Sequence, residues 1–217
     1  MKNTLKKDWL IWLFLLAPFA IITYFWDRFP AEIPLHWNMN GEADSYGSKL
    51  EGLLLMPLVN IGLYILLLVL PYIDPKKANY ALFKSPYQIL RFVIHIFLFL
   101  AFMMIIFTVL GYDISSQKII PLAVIALMLV LGNYMGTIRP NYFVGIKTPW
   151  TLANEDVWVK THRFSGKIWV FASLIMLVIA LFLPINEIIM LLYIALLVLP
   201  PFVYSYLEFR KLESKKL

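Results

Sequence analysis

The sequence predicts an all-α, polytopic integral membrane protein of six transmembrane helices, with N- and C-termini cytoplasmic and a short interfacial amphipathic helix in the fourth loop. Three observations carry that prediction. Of 217 residues, 61% are hydrophobic and only 15% charged, against roughly half and a quarter in an ordinary soluble domain. The apolar residues fall into six blocks, each about 18 to 25 residues and so long enough to cross a ~30 Å hydrocarbon core. Nearly all lysines and arginines then lie on one side of those blocks, the side that stays cytoplasmic because cations cross poorly. This composition excludes a soluble enzyme. The absence of cysteine also excludes disulfide frameworks, thiolate metal sites and cysteine nucleophiles.

The blocks run Trp9 to Trp26, Leu53 to Ile73, Tyr87 to Gly111, Ile119 to Thr137, Ser165 to Leu183 and Ile188 to Leu207. The first follows Lys2, Lys6 and Lys7 but runs into Tyr24, Phe25, Trp26 and Asp27 without a small-x-small cleavage site, so it reads as a retained span. One side of the membrane collects those three lysines, then Lys76, Lys77, Lys84 and Arg91, then Arg139, Lys147, Lys160, Arg163 and Lys167, and finally Arg210, Lys211, Lys215 and Lys216. Of the 19 cationic residues only Arg28, Lys49 and Lys118 lie on the other. The chain reads as a single membrane domain over 1–217. Within it, a two-span module over 9–73 carries a structured outer loop at 27–52, and a four-span region over 87–207 carries an inner loop at 138–164.

Loops longer than ~12 to 15 residues are more often functional than short ones. The outer loop is acidic, with Asp27, Glu32, Glu42, Asp44 and Glu51 against Arg28 and Lys49. Pro30 and Pro34 hold its backbone extended, Asn40 and Gly41 mark a tight turn, and Trp37 suits the water interface. His36, Asn38, Asn40, Glu42 and Asp44 place donors at every second residue around Gly41. A calcium loop fails at both ends: with Gly41 at the sixth position, the first is His36 and the twelfth Gly47, where a bidentate Glu is required. The polar groups therefore bond the loop to itself or form a peptide or ligand site, and no metal is expected.

The inner loop is basic and aromatic. Thr148 before Pro149 makes an N-cap with proline at the first helical position; Glu155 and Asp156 suit the early turns of a helix, and Lys160 and Arg163 its late turns. A short helix is expected from Pro149 to about Arg163. Trp150, Ala153, Val157 and Thr161 share one face of it, with Trp158 beside them, the pattern of a helix lying along the headgroup layer. Positive-inside charge and an interfacial aromatic belt explain this composition, and so does a docking surface for anionic headgroups, a cytosolic protein or a phosphorylated molecule; nucleic acid is not expected.

Within the spans, His95 lies eight residues past Tyr87, roughly 12 Å deep at 1.5 Å per residue. An intramembrane ionisable group needs a named partner. Tyr64 and Asn133 fall at comparable depth, whereas Asn60 falls nearer the outside, so His95 is expected to face Tyr64 or Asn133 as a neutral packing group. Gly132 and Gly136 form a small-xxx-small pair suited to close helix packing, and Pro18, Pro57, Pro200 and Pro201 are expected to bend their helices.

Two segments resemble a known family. Ile33-Pro34-Leu35-His36-Trp37-Asn38, with Gly41, Asp44 and Lys49, resembles the N-terminal membrane module of unknown function found in it. Gly145-Ile146-Lys147-Thr148-Pro149-Trp150-Thr151-Leu152, followed by Val157-Trp158, Thr161-His162-Arg163 and Gly166, looks like the signature of SdpI-type immunity proteins. The resemblance implies a multi-pass protein of the bacterial inner membrane that gives resistance to a secreted peptide toxin, the sporulation-delaying peptide. In the best-known branch it also implies a receptor that holds a cytosolic repressor at the membrane. By position, sensing goes to the outer residues His36, Trp37, Asn38, Asn40, Gly41, Asp44 and Lys49. Output goes to Arg139, Asn141, Gly145, Lys147, Thr148, Pro149, Trp150, Trp158, Thr161, His162, Arg163 and Gly166.

A second class stays open beside this one: a membrane enzyme or carrier that binds an anionic small molecule or lipid through Arg139, Lys147, His162 and Arg163. Its spans offer only His95, Asn60, Asn133 and a few hydroxyl groups, too little for a hydrophilic route. No catalytic constellation is recognisable and no cofactor is expected, which favours binding over transport or turnover. The sequence sets no oligomeric state.

Overall fold

In lipid only a helix or a closed barrel satisfies every backbone polar group within the segment itself, and the six apolar blocks become helices. The structure, a computed structural model, describes residues 7–38, 42–112 and 115–215. The long helices are α1 (Trp9–Phe25), α2 (Lys49–Ile73), α3 (Lys84–Val109), α4 (Ser116–Met135), α6 (Glu155–Phe182) and α7 (Glu187–Glu213), with a five-residue α5 (Pro149–Ala153) before α6. Six helices among the described residues are long and apolar enough to cross a membrane. The expected turn at Asn40 and Gly41, and Lys2, Lys6 and Lys216 of the charge tally, lie outside the described residues.

Two features differ from the sequence prediction. The outer loop contains a β-hairpin, β1 (Glu32–Trp37) against β2 (Ala43–Ser48), antiparallel, with Ile33 opposite Gly47 and Trp37 opposite Ala43. Pro34 is tolerated because both strands of a two-stranded sheet are edges, and an edge strand can spare an N–H. The helix expected from Pro149 to Arg163 is divided at Asn154, whose backbone is extended and whose side chain accepts the N–H groups of Asp156 and Val157 as the cap of α6. Its larger part is thus the first turns of the fifth span. Val157, Trp158, Thr161 and His162 are all fully buried, so they pack in the protein interior and form no headgroup belt.

The chain divides into two compact units, residues up to Leu68 with Arg91–Ala123, and Val69–Leu90 with Val124–Leu217. In the first, Ile33 is driven from β1 into a core of Ile22, Phe29, Leu53, Phe102, Ile105 and Ile106. It fits because α2 has Gly52 there: a Cβ on Gly52 would collide with the Ile33 side chain. The foot of the hairpin is closed by Lys49 N–H to the Ala31 carbonyl (2.9 Å) and by Lys49 Nζ to the Trp26 carbonyl (2.8 Å).

In the second unit, α4 and α6 approach backbone to backbone. A Cβ on Gly132 would lie 2.6 Å from Trp169 Cβ, and one on Gly166 would lie 2.8 Å from the Gly132 carbonyl oxygen. The small-residue motif therefore serves packing within the chain. Trp169 also repairs a defect in α7. Pro201 has no N–H to give the Leu197 carbonyl four residues back, and Trp169 Nε1–H donates to that carbonyl at 2.9 Å. Ser173 and Tyr193 share a buried hydroxyl–hydroxyl bond (2.7 Å) between the same two helices.

Candidate functional site

The inner loop folds as a clasp, built first by its own amide groups. Asn141 is buried and fully used: Nδ2 donates to the Arg139 and Val144 carbonyls (both 2.9 Å), and Oδ1 accepts the N–H of Phe143 (2.9 Å) and of Val144 (2.6 Å). Such a side chain imitates a turn of backbone. The chain then passes through Gly145 at φ +120°, where a side chain would be strained and a Cβ would strike the His162 ring.

His162 closes the clasp. Its Nε2 accepts the Ile146 N–H (2.9 Å) and its Nδ1 faces the Trp158 carbonyl (2.8 Å). A carbonyl only accepts, so the proton sits on Nδ1 and the ring is the neutral Nδ1–H tautomer. The imidazole stacks on Trp158 at 4.1 Å between centroids, and Trp158 Nε1–H donates to the Ile138 carbonyl (2.9 Å). With both ring nitrogens occupied, His162 is not presented to a ligand.

Thr148 caps α5 in a reciprocal box with Thr151: Thr151 N–H donates to Thr148 Oγ1 (3.1 Å) and Thr148 N–H to Thr151 Oγ1 (2.9 Å). The Thr148 hydroxyl continues to Ser205 on α7 (3.0 Å), and Trp150 sets its ring against Phe202 and Tyr206 of the same helix. From the other flank, buried Asp74 accepts the Lys76 N–H (2.7 Å), the Tyr80 hydroxyl (3.1 Å) and the Tyr142 N–H (3.0 Å), while Asn79 donates to the Pro140 carbonyl (2.8 Å). Glu208 joins Lys160 (2.9 Å) and Lys211 (2.8 Å). Exposed on the loop are Arg139, Tyr142, Phe143, Lys147, Pro149, Leu152 and Ala153, with Glu155, Asp156, Lys160 and Arg163 on α6.

The hairpin holds the outer candidates. His36 Nδ1 pairs with Asp44 Oδ1 (2.5 Å), and Asn38 exchanges bonds with Glu42, Nδ2 to Oε2 (3.1 Å) and Glu42 N–H to Asn38 Oδ1 (3.0 Å). These groups bond the loop to itself across its two strands. Trp37 is half-buried against the Ile33 core, and Lys49 lies over the Trp26 ring at 4.6 Å.

A third group lies in the spans of the first unit. His95 is fully buried, but its partner is Asn60: Nδ1 to Oδ1 at 2.6 Å, with Asn60 Nδ2 reaching the His95 carbonyl at 3.4 Å. This corrects the expected Tyr64 or Asn133. Tyr64 touches His95 only ring to ring (5.6 Å) and gives its hydroxyl to Asp8 (3.1 Å), and Asn133 is exposed on α4. Counting residues along straight helices set the wrong depth for Asn60.

Asp8 and Arg91 had no place among the sequence candidates, yet they form a buried bidentate pair, Arg91 Nη2 to Asp8 Oδ2 at 2.7 Å and Nη1 to Oδ1 at 3.4 Å. Arg91 also lies over the Tyr64 ring at 5.2 Å. A signal was available: Arg91 is the one cation seven residues inside α3, too deep to be a loop residue. Asp74, Tyr80 and Ser205 were likewise missed, being ordinary residue types: Asp74 and Ser205 meet the loop from 68 and 57 residues away, and Tyr80 reaches it through Asp74.

Six spans, a folded hairpin between the first two and a self-capped aromatic clasp before the fifth define a multi-pass helical membrane protein with two built loops. The model of the SdpI/YfhL protein family matches residues 137–205, the clasp with α6 and most of α7. A domain of unknown function (DUF1648) matches residues 13–61, which includes the hairpin. Immunity protein SdpI of Bacillus subtilis (strain 168) is 30% identical over 200 residues, covering 91% of this chain and 92% of that protein. The chain belongs to the SdpI family, as a multi-pass bacterial membrane protein. No solved structure matches it.

Proposed function

We propose that the chain is an immunity protein of the bacterial cytoplasmic membrane, with both termini inside and the hairpin outside, protecting its cell from a secreted, membrane-active peptide toxin by binding it without turnover. The observation that carries this reading is the similarity to an immunity protein over 91% of the chain, which takes in both the hairpin and the clasp. The one-sided distribution of cations supports the orientation. Sensing belongs to the hairpin, and output to the exposed remainder of the clasp, where Arg139, Tyr142, Phe143 and Lys147 offer a cytosolic repressor two rings and two charges. The buried clasp residues Asn141, Thr148, Trp158 and His162, with Gly145 at the turn, hold that surface in shape. The anionic-ligand reading loses His162 as a ligand, because both of its nitrogens are bonded within the chain.

The test is survival of a toxin-sensitive bacterium expressing the chain when challenged with the sporulation-delaying peptide, beside His36→Ala and Phe143→Ala at equal membrane levels. Protection by the wild type, weakened in His36→Ala and retained in Phe143→Ala, is the expected result. A wild-type chain that gives no protection overturns the reading.

A further inference from the structure

The hairpin does not lie flat on the helix ends. Between it and α2, α3 and α4 runs a groove of about 620 Å³, within the roughly 300 to 1,000 Å³ of ligand sites. Its walls are Leu55 and Met56 of α2, Leu100, Met103 and Phe107 of α3 and Ile120 of α4, and Leu35 and Trp37 of β1 roof it with His36 at the edge. Leu55 and Leu100 stand half-exposed there.

Charge separates the candidate occupants. The loop that supplies the roof carries Asp27, Glu32, Glu42, Asp44 and Glu51 against Arg28 and Lys49, and Lys118 adjoins the wall residues Ile119 and Ile120. Arg28 and Lys49 are held at the hairpin's foot, Lys49 on the Trp26 carbonyl and ring and Arg28 over the Phe25 ring at 5.4 Å, which leaves Lys118 as the exposed cation on the α4 side. Glu32 and Glu42 face solvent. An apolar trough under an acidic rim disfavours an anionic phospholipid headgroup and favours an apolar segment with cations beside it. Three methionines, Met56, Met103 and Met104, give walls that adapt to a side-chain pattern without a fixed lock.

We infer that this groove is the toxin-binding site: it takes an apolar, cation-flanked helical segment of a secreted membrane-active peptide, with the hairpin as its roof. The inference rests on the immunity reading and supplies it with a place. Sequestered there, the peptide's apolar face is covered by protein and is no longer free to join other peptides in the bilayer.

The test uses the full chain in vesicles of neutral and anionic phospholipid, with the sporulation-delaying peptide as probe. A photo-crosslinking phenylalanine analogue replaces Leu100 in the groove or, as a control, the exposed Leu192 on α7. The expected result is a peptide adduct at Leu100 and none at Leu192, with binding weakened at least tenfold by Ala101→Phe, which fills the trough, and severalfold by Glu32→Lys, which alters only the rim. Adducts to lipid alone, or to a second copy of the chain, overturn the groove as the site. Survival of toxin-challenged cells is scored separately, so protection without a Leu100 adduct removes the groove and leaves the immunity reading. An adduct without protection removes the immunity reading and leaves the groove.

Discussion

Gly145→Ala isolates the clasp from the rest of the fold. At φ +120° a non-glycine backbone is strained, by about 1 to 3 kcal/mol. The new methyl group also meets the His162 ring and comes 3.2 Å from Trp158 Cζ2, so the imidazole must retreat from the Ile146 N–H. Losing that bond adds about 1 kcal/mol. The total, about 3 kcal/mol, corresponds to roughly a hundredfold change in an opening equilibrium at 1.4 kcal/mol per decade. The assay is amide hydrogen exchange of the full chain in nanodiscs, which reads local opening directly. Peptides across 141–153 should exchange about a hundred times faster in the variant, with α7 peptides unchanged. Unaltered protection of 141–153 would refute the argument, and so would an equal acceleration everywhere, which would mean that the clasp does not open as a unit.

Three further outcomes are expected. Asp8→Ala strands the buried Arg91 guanidinium and should cost about 3 to 5 kcal/mol, seen as a lower thermal midpoint in detergent; Asp8→Ala with Arg91→Leu should recover part of the loss, and no recovery would mean that the pair is not coupled. Trp169→Phe leaves the Leu197 carbonyl without its donor, at about 1 to 2 kcal/mol. Adding Pro201→Ala restores a backbone N–H and should make the loss smaller, while strictly additive effects in the double-mutant cycle would disprove the repair. Gly52→Ala forces Ile33 from its notch and should loosen the hairpin, raising protease cleavage within 32–48, with Ile33→Ala in the same chain restoring resistance.

The spans were legible because long apolar runs admit few structures in lipid, and α1 and the closing residue of α2 fall at or within one residue of the expected limits. The hairpin was not. β2 reads Ala-Asp-Ser-Tyr-Gly-Ser, a sequence with little strand propensity, and its pairing is supported by contacts outside its own residues and across the loop: Ile33 seated over Gly52, and the His36–Asp44 and Asn38–Glu42 bonds. The fifth span begins at Glu155 rather than Ser165 because charged residues on a helix face do not end the helix; Asn154 does, by capping. In the clasp, residue types announced a built loop, and Gly145, Thr148 and Pro149 did mark a turn and a cap. The groups that tether the loop were hidden, because Ser205 lies 57 residues from Thr148 and Asp74 lies 68 residues from Tyr142 along the chain.

Asp74 bears on how such a chain can be cut, transplanted or compared. It lies in neither matched segment, 13–61 or 137–205, yet its carboxylate receives the Tyr142 N–H at the heart of the clasp. A fragment beginning at the second segment would carry the recognisable signature without the acid that tethers it. Grafts between relatives should therefore exchange Asp74 through Tyr80 together with the loop, and a homologue lacking an acid at this position should carry its own substitute for that tether.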